Sequence, residues 1–171
     1  MSGFILTRLD DRRRSIGATI RILNVENQLK MHVTIYSDGA SRKNPGPAGA
    51  GAVLVDEEGN VLEELAKYLG IATNNQAEYQ GAILGLEKAL EMGVKRVKLR
   101  ADSQLMIRQI RGEYRVKNPA LKPLYDRVMM LLSRFEGYDP PEHIRREQNR
   151  EADAQANRAI DEYERDRQEA S

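Results

Sequence analysis

The segment His32-Val33-Thr34-Ile35-Tyr36-Ser37-Asp38-Gly39-Ala40-Ser41 decides how the rest of the chain is read. Val33 and Ile35 alternate with Thr34 and Tyr36, the period-2 pattern of a half-buried strand. That strand delivers Asp38 into a turn carrying Gly39, Asn44-Pro45-Gly46 and Pro47. Downstream, the apolar stretches 50–55 and 61–69 flank Asp56-Glu57-Glu58-Gly59-Asn60, a short polar connection of hairpin type. Three antiparallel strands therefore open the domain.

Beyond the hairpin the period changes. Thr73, Asn74 and Asn75 are helix-capping types, and Ala82, Leu86, Ala89 and Leu90 then share one face of a helix that ends at Met92-Gly93. Val97 and Leu99, opposed to Lys98 and Arg100, predict a fourth strand over 94–101 that closes on Asp102. Reached through a helix, it is expected to run parallel to an earlier strand. A short helix over 103–111 stops near Gly112, and a longer one follows Asn118-Pro119, carried by Leu124, Val128, Leu131, Leu132 and Phe135. Pro140-Pro141 break the chain before a short strand at 143–145, and Asn149 is placed to cap a last helix on which Ala152, Ala156, Ala159 and Tyr163 align. The order is βββαβααβα, an α/β domain whose mixed five-stranded sheet has three antiparallel strands, then parallel ones, between flanking helices.

This pattern covers residues 31–164, with a polar tail over 165–171 that is expected to fray. Residues 1–30 read differently: Arg12-Arg13-Arg14 precede a weakly patterned β-branched stretch, and six basic residues face three acidic ones, a net charge of +3. A basic arm of this kind can touch nucleic acid; the plainer reading is a disordered or loosely attached extension, with Met31 as an alternative start. The remainder carries 21 basic and 23 acidic residues, so the whole chain is only +1 and any polyanion contact has to be local. The absence of cysteine excludes a disulfide framework, a thiol nucleophile and a thiolate zinc site. No apolar run reaches membrane-spanning length and no secretory layout follows Met1, so a cytoplasmic protein free of membranes is expected. A monomer is the default expectation, with no residue pattern behind it.

Four carboxylates stand out by placement. Asp38 and Asp102 each close a strand, while Glu78 and Asp153 fall in the first turns of two predicted helices, positions that can converge at one end of an α/β sheet. Hard oxygen donors of this kind suit magnesium, and a pair of such ions can clamp the attacking and leaving oxygens of a phosphodiester displacement. A metal-dependent nuclease is the chemistry this quartet fits.

The motifs Asp38-Gly39-Ala40-Ser41 with Asn44-Pro45-Gly46, Thr73-Asn74-Asn75-Gln76-Ala77-Glu78, Ala101-Asp102-Ser103-Gln104, and Asn149 ahead of Ala152-Asp153 resemble the type 1 ribonuclease H family over Met31 to Tyr163. The resemblance implies a ribonuclease H-like fold and hydrolysis of the RNA strand of RNA/DNA hybrids to 5′-phosphate and 3′-hydroxyl ends. It implies Asp38, Glu78, Asp102 and Asp153 as catalytic and metal-binding acids for two Mg2+ ions, with Mn2+ as the alternative and Asp38 as the bridge. It also implies Asn44, Asn74, Asn75 and Gln104 against the minor groove, whose 2′-hydroxyls both donate and accept, and Ser103 against a phosphate. For Asn74 and Asn75, plain helix capping is an equally weighted reading.

The sequence departs from that pattern twice. Residues 112–118 form a short link where well-studied bacterial members insert a basic, Trp-rich protrusion, and this chain has no Trp. Fewer phosphate contacts predict a shallower salt dependence unless Arg115, Lys117 or the arm at Arg12 compensates. The family's flexible-loop histidine has no match here: His143 lies about three positions early, and the resemblance to members with a shortened loop offers Arg146 as a substitute, while a solvated surface charge is the favoured reading of Arg146. Rival readings are the same fold acting on another duplex, such as RNA/RNA, and a nucleic-acid-binding module without turnover.

Overall fold

The computed structural model describes residues 15–23 and 32–171. Arg12, Arg13, Arg14 and Met31 lie outside the described residues. The stretch read as weakly patterned is a helix, α1 (residues 15–23), exposed along its whole length, with Ile16, Ile20, Ile22 and Leu23 all more than half accessible.

The predicted strand is β1 (His32–Ser41), with Val33, Ile35 and Ser37 fully buried on one side. It pairs antiparallel with β2 (Gly46–Val55), which pairs antiparallel with β3 (Val61–Ala72). The strands are longer than their apolar cores because the pairing continues through small residues: Gly39 lies opposite Ala50, and Ala40 opposite Gly49. Helix α2 (Asn74–Glu91) then crosses to β4 (Arg96–Ala101), which runs parallel to β1 with Tyr36 beside Arg100, as expected of a crossover connection.

α3 (Gln104–Ile110) and α4 (Lys122–Ser133) follow. α4 starts later than Asn118-Pro119 predicts, because residues 119–121 are turn and Pro123 occupies its first turn. The sheet has six strands where five were expected. Pro140-Pro141 have no amide hydrogens to continue a ladder, so the last position is shared by two fragments, β5 (Gly137–Tyr138) and β6 (Glu142–His143), each parallel to β4. The spatial order is β3-β2-β1-β4-β5, with β6 also on β4. α5 (Arg150–Glu169) closes the chain and keeps helical geometry through the tail predicted to fray, although everything beyond Ile160 is exposed.

Glycines set how closely the helices approach the sheet. A Cβ at Gly49 would stand 2.2 Å from the Ala156 carbonyl oxygen, and one at Gly51 2.2 Å from that of Ala152, so α5 lies directly on β2. On α2, a Cβ at Gly85 would stand 2.4 Å from the Ile35 side chain. The main core lies on the α2 side: Val33, Ile35, Leu54, Leu86, Leu99, Met106, Ile107, Leu131 and Leu132 are each at most 2% exposed. α5 adds a second layer through Ala152, Ala156 and Ile160, all fully buried. Among the described residues no helix is long and apolar enough to cross a membrane.

Candidate active site

Two backbone contacts bring the first acids together. Gly39 touches the start of α2, where a Cβ would come within 2.1 Å of the Ala77 carbonyl carbon and 2.2 Å of the Glu78 nitrogen. One turn later, a Cβ at Gly81 would lie 2.3 Å from the Asp38 carbonyl oxygen. Only hydrogen fits at either place, and the contact draws Glu78 against Asp38. Asp102 arrives from the end of β4, one residue beyond Ala101, which lies beside Ser37 in the β1–β4 register.

One carboxylate oxygen from each of Asp38, Glu78 and Asp102 lies within 4.8 Å of the other two. Asp153 stands outside that close group but borders the same cleft, of about 430 Å3, and its charge reaches Asp38. It is held by the first turn of α5. Asn149, expected to cap this helix, makes no side-chain cap; its buried amide instead donates to the Ser37 carbonyl (2.9 Å), pinning the start of α5 to β1. Asn157, one turn on, donates its amide to Asp153 Oδ1 (3.1 Å) and to the Asp153 carbonyl.

Gathering acids in a partly dry cleft makes them hard to ionise together. Burial, then the charges of Asp102 and Asp153, push the Asp38 carboxyl up to about 7, against one opposing hydrogen bond from the Gly39 amide (2.8 Å). Glu78 is pushed well above the ordinary range by burial first, then by Asp38 and Asp102. Its Oε2 is buried without a hydrogen-bond partner among the described residues. An orphaned carboxylate oxygen facing two other acids, with no nitrogen or sulfur donor in the group, fits a hard divalent cation.

Of the other predicted residues, Asn74 and Arg146 line the cleft. Capping does not account for the asparagine pair: Thr73 is the cap, in a reciprocal box with Gln76, and Asn74 and Asn75 are exposed on the first turn of α2. Asn44 reaches across to accept from the Asn74 amide (3.1 Å), so the turn after β1 and the start of α2 form one rim. Ser103 caps α3 by accepting from Met106, and Gln104 is exposed beside it. His143 Nε2 lies 3.2 Å from the Asp102 carbonyl oxygen, on the strand and away from the cleft lining. Residues 146–148, where the loop was expected, form a single 3-10 turn.

Gly81, Arg42 and Asn157 also build or line this site and were not singled out in the sequence. Gly39 belongs to the Asp38 motif but reads there as a turn residue, and Gly81 stands in a helix pattern where small size reads as weakness, not as contact. Asn157 was legible in principle, since it lies four residues from Asp153 on one helix face.

The profile described as reverse transcriptase-like matches residues 36–159. The ribonuclease HI of Halobacterium salinarum is 43% identical over 129 residues, 75% of this chain and 64% of that protein. The bifunctional protein Rv2228c of Mycobacterium tuberculosis is 42% identical over 77% of this chain and 36% of its own length. The chain thus spans less than two thirds of these curated relatives. Among solved structures, RNase H1 from the same halophilic archaeon superposes with a TM-score of 0.74 at 43% identity, covering 77% of this chain and 98% of that one. LC11-RNase H1 in complex with an RNA/DNA hybrid does so with 0.72 at 41% identity, covering 77% and 98%. Fold and acid cluster together define a member of the ribonuclease H-like class. Within it, the chain belongs to the type 1 ribonuclease H family.

Proposed function

We propose that this chain is a metal-dependent endoribonuclease that hydrolyses the RNA strand of RNA/DNA hybrids, leaving 5′-phosphate and 3′-hydroxyl ends. The observation that carries the reading is the group formed by Asp38, Glu78 and Asp102, one oxygen of each lying within 4.8 Å of the other two in the lining of one cleft. The relative solved with an RNA/DNA hybrid supports the choice of substrate.

Asp38, Glu78 and Asp102, with Asp153 beside Asp38, are the residues that would hold the divalent cations. Bound there, the ions would lower the pKa of an attacking water and neutralise the departing 3′ oxygen. The chain supplies the rest. Asn149 and Asn157 hold Asp153 to face Asp38. Asn44 fixes the rim on which the free side chains of Asn74 and Asn75 stand, and such amides can pair with 2′-hydroxyls, which DNA lacks. Arg146, on the cleft wall, offers a charge for the phosphate or for the leaving product.

Cleavage of labelled RNA/DNA hybrid, duplex RNA and duplex DNA in Mg2+ tests the reading. The hybrid is expected to be cut in its RNA strand alone, and Asp38→Asn to abolish cutting while the protein stays folded. Equal cutting of duplex DNA, or an Asp38→Asn variant as active as the parent, would falsify it.

A further inference from the structure

A second cavity, of about 440 Å3, lies beside the catalytic cleft and contains none of its acids. Its floor is Tyr36 and Arg100, and its wall is His143, Arg145 and Gln148. Tyr36 and Arg100 are direct neighbours in the parallel register of β1 and β4. Each lies two residues before a cleft acid, Tyr36 before Asp38 and Arg100 before Asp102. Side chains two apart on a strand share a face, about 6.6 Å apart. The same strand pair therefore presents two acids at one position and a phenol with a guanidinium at the next.

The guanidinium is held in place. Arg100 donates from Nε to Glu142 (3.1 Å) and from Nη1 to the Tyr36 hydroxyl (2.9 Å), leaving Nη2 without a partner among the described residues. Glu142 is answered by Lys98 as well as Arg100, so with Arg145 the cavity is net positive. Arg145 makes no ion pair among the described residues. Its neighbour in sequence, Arg146, lines the catalytic cleft, so one short segment forms the partition between the two cavities. In the wall, His143 bonds to the Asp102 carbonyl, which ties this cavity to the strand end that carries a cleft acid.

We propose that this cavity is a phosphate subsite that takes the backbone phosphodiester adjacent to the scissile one on the strand being cut. The net positive charge matches a diester anion, and a guanidinium held by two hydrogen bonds beside the exposed Arg145 suits a ligand that is gripped and then released after each cut. The inference rests on the nuclease reading above, which the parent protein's own cleavage of hybrid tests in the same assay.

The experiment compares the parent, Arg145→Ala and Arg100→Gln on hybrids whose RNA strand carries one neutral methylphosphonate, placed on either side of the scissile position. With unmodified hybrid, Arg145→Ala is expected to raise KM about three- to tenfold at unchanged kcat, and to reduce the slope of log affinity against log salt by about one. The neutral linkage at one of the two flanks should cost the parent a similar factor and cost Arg145→Ala little more, since the two changes remove the same contact. Arg100→Gln should behave likewise if its melting temperature matches the parent's; Arg145, being exposed, decides the matter if it does not. An unchanged KM and salt slope in Arg145→Ala overturns the proposal. So do penalties that multiply independently at both flanks, which would place the Arg145 contact elsewhere on the duplex.

Discussion

Gly39 shows how one missing methyl group sets the chemistry. Its hydrogen is all that separates β1 from the Ala77-Glu78 peptide, so Gly39→Ala has to push α2 off the strand. Overpacking of this kind costs about 1–3 kcal/mol, read from urea denaturation, and calorimetry should show weaker Mg2+ uptake because Glu78 moves with the helix. Asp38 allows a sharper test. Its carboxyl rises from an ordinary 3.8 to about 7 in the fold, so the folded state holds a proton that the unfolded chain releases. Its contribution to stability is full below about pH 4 and is lost as pH rises through 7; the metal-free protein should therefore melt lower at pH 7.5 than at pH 5. Asp38→Asn should flatten that slope, and Mg2+ should restore the loss at neutral pH. Both pH profiles are measurable by thermal melting.

At the scale of elements, patterning was legible where burial is one-sided and weak where it is not. β1, α2 and β4 followed their apolar periods because each buries one face against the α2 layer. β2 was read four residues short because both of its faces are covered, one by α2 and one by α5, and Gly and Ala fill them. The helix at 15–23 escaped notice because Ile16, Ile20 and Ile22 favour strands by propensity and pack against no described neighbour. Of the site, the convergence of the acids was legible: all four line one cleft. What placed them was not legible, since Asn149 looks like a cap in sequence and acts as a strap to Ser37. Replacing it with Ala should remove that strap, cost about 1–3 kcal/mol for the groups left unpaired, and raise the Mg2+ concentration needed for half-maximal cleavage. The melting curve and the metal titration are read on the same preparation.

For the molecule as a whole, the link between α3 and α4 is short and builds no protruding helix of its own. Gly112 to Asn118 hold two basic residues, Arg115 and Lys117, and the preceding Arg111 is already paired with Glu113. The salt slope for hybrid binding is therefore expected to be shallow, and deleting residues 1–30 should steepen nothing and leave the melting temperature of the remaining domain within about 2 °C, since α1 is exposed throughout. A filter-binding series in rising KCl, with and without the first thirty residues, checks both.

The proline pair that divides β5 from β6 has a further consequence. A sheet margin is a template on which other chains can zip, and here one margin offers only two-residue fragments interrupted where no amide proton exists. The opposite margin, β3, carries Glu63, Glu64 and Lys67 along its length. Neither side gives a second copy a long, neutral ribbon to extend, so crowded molecules of this protein have little by which to polymerise edge to edge.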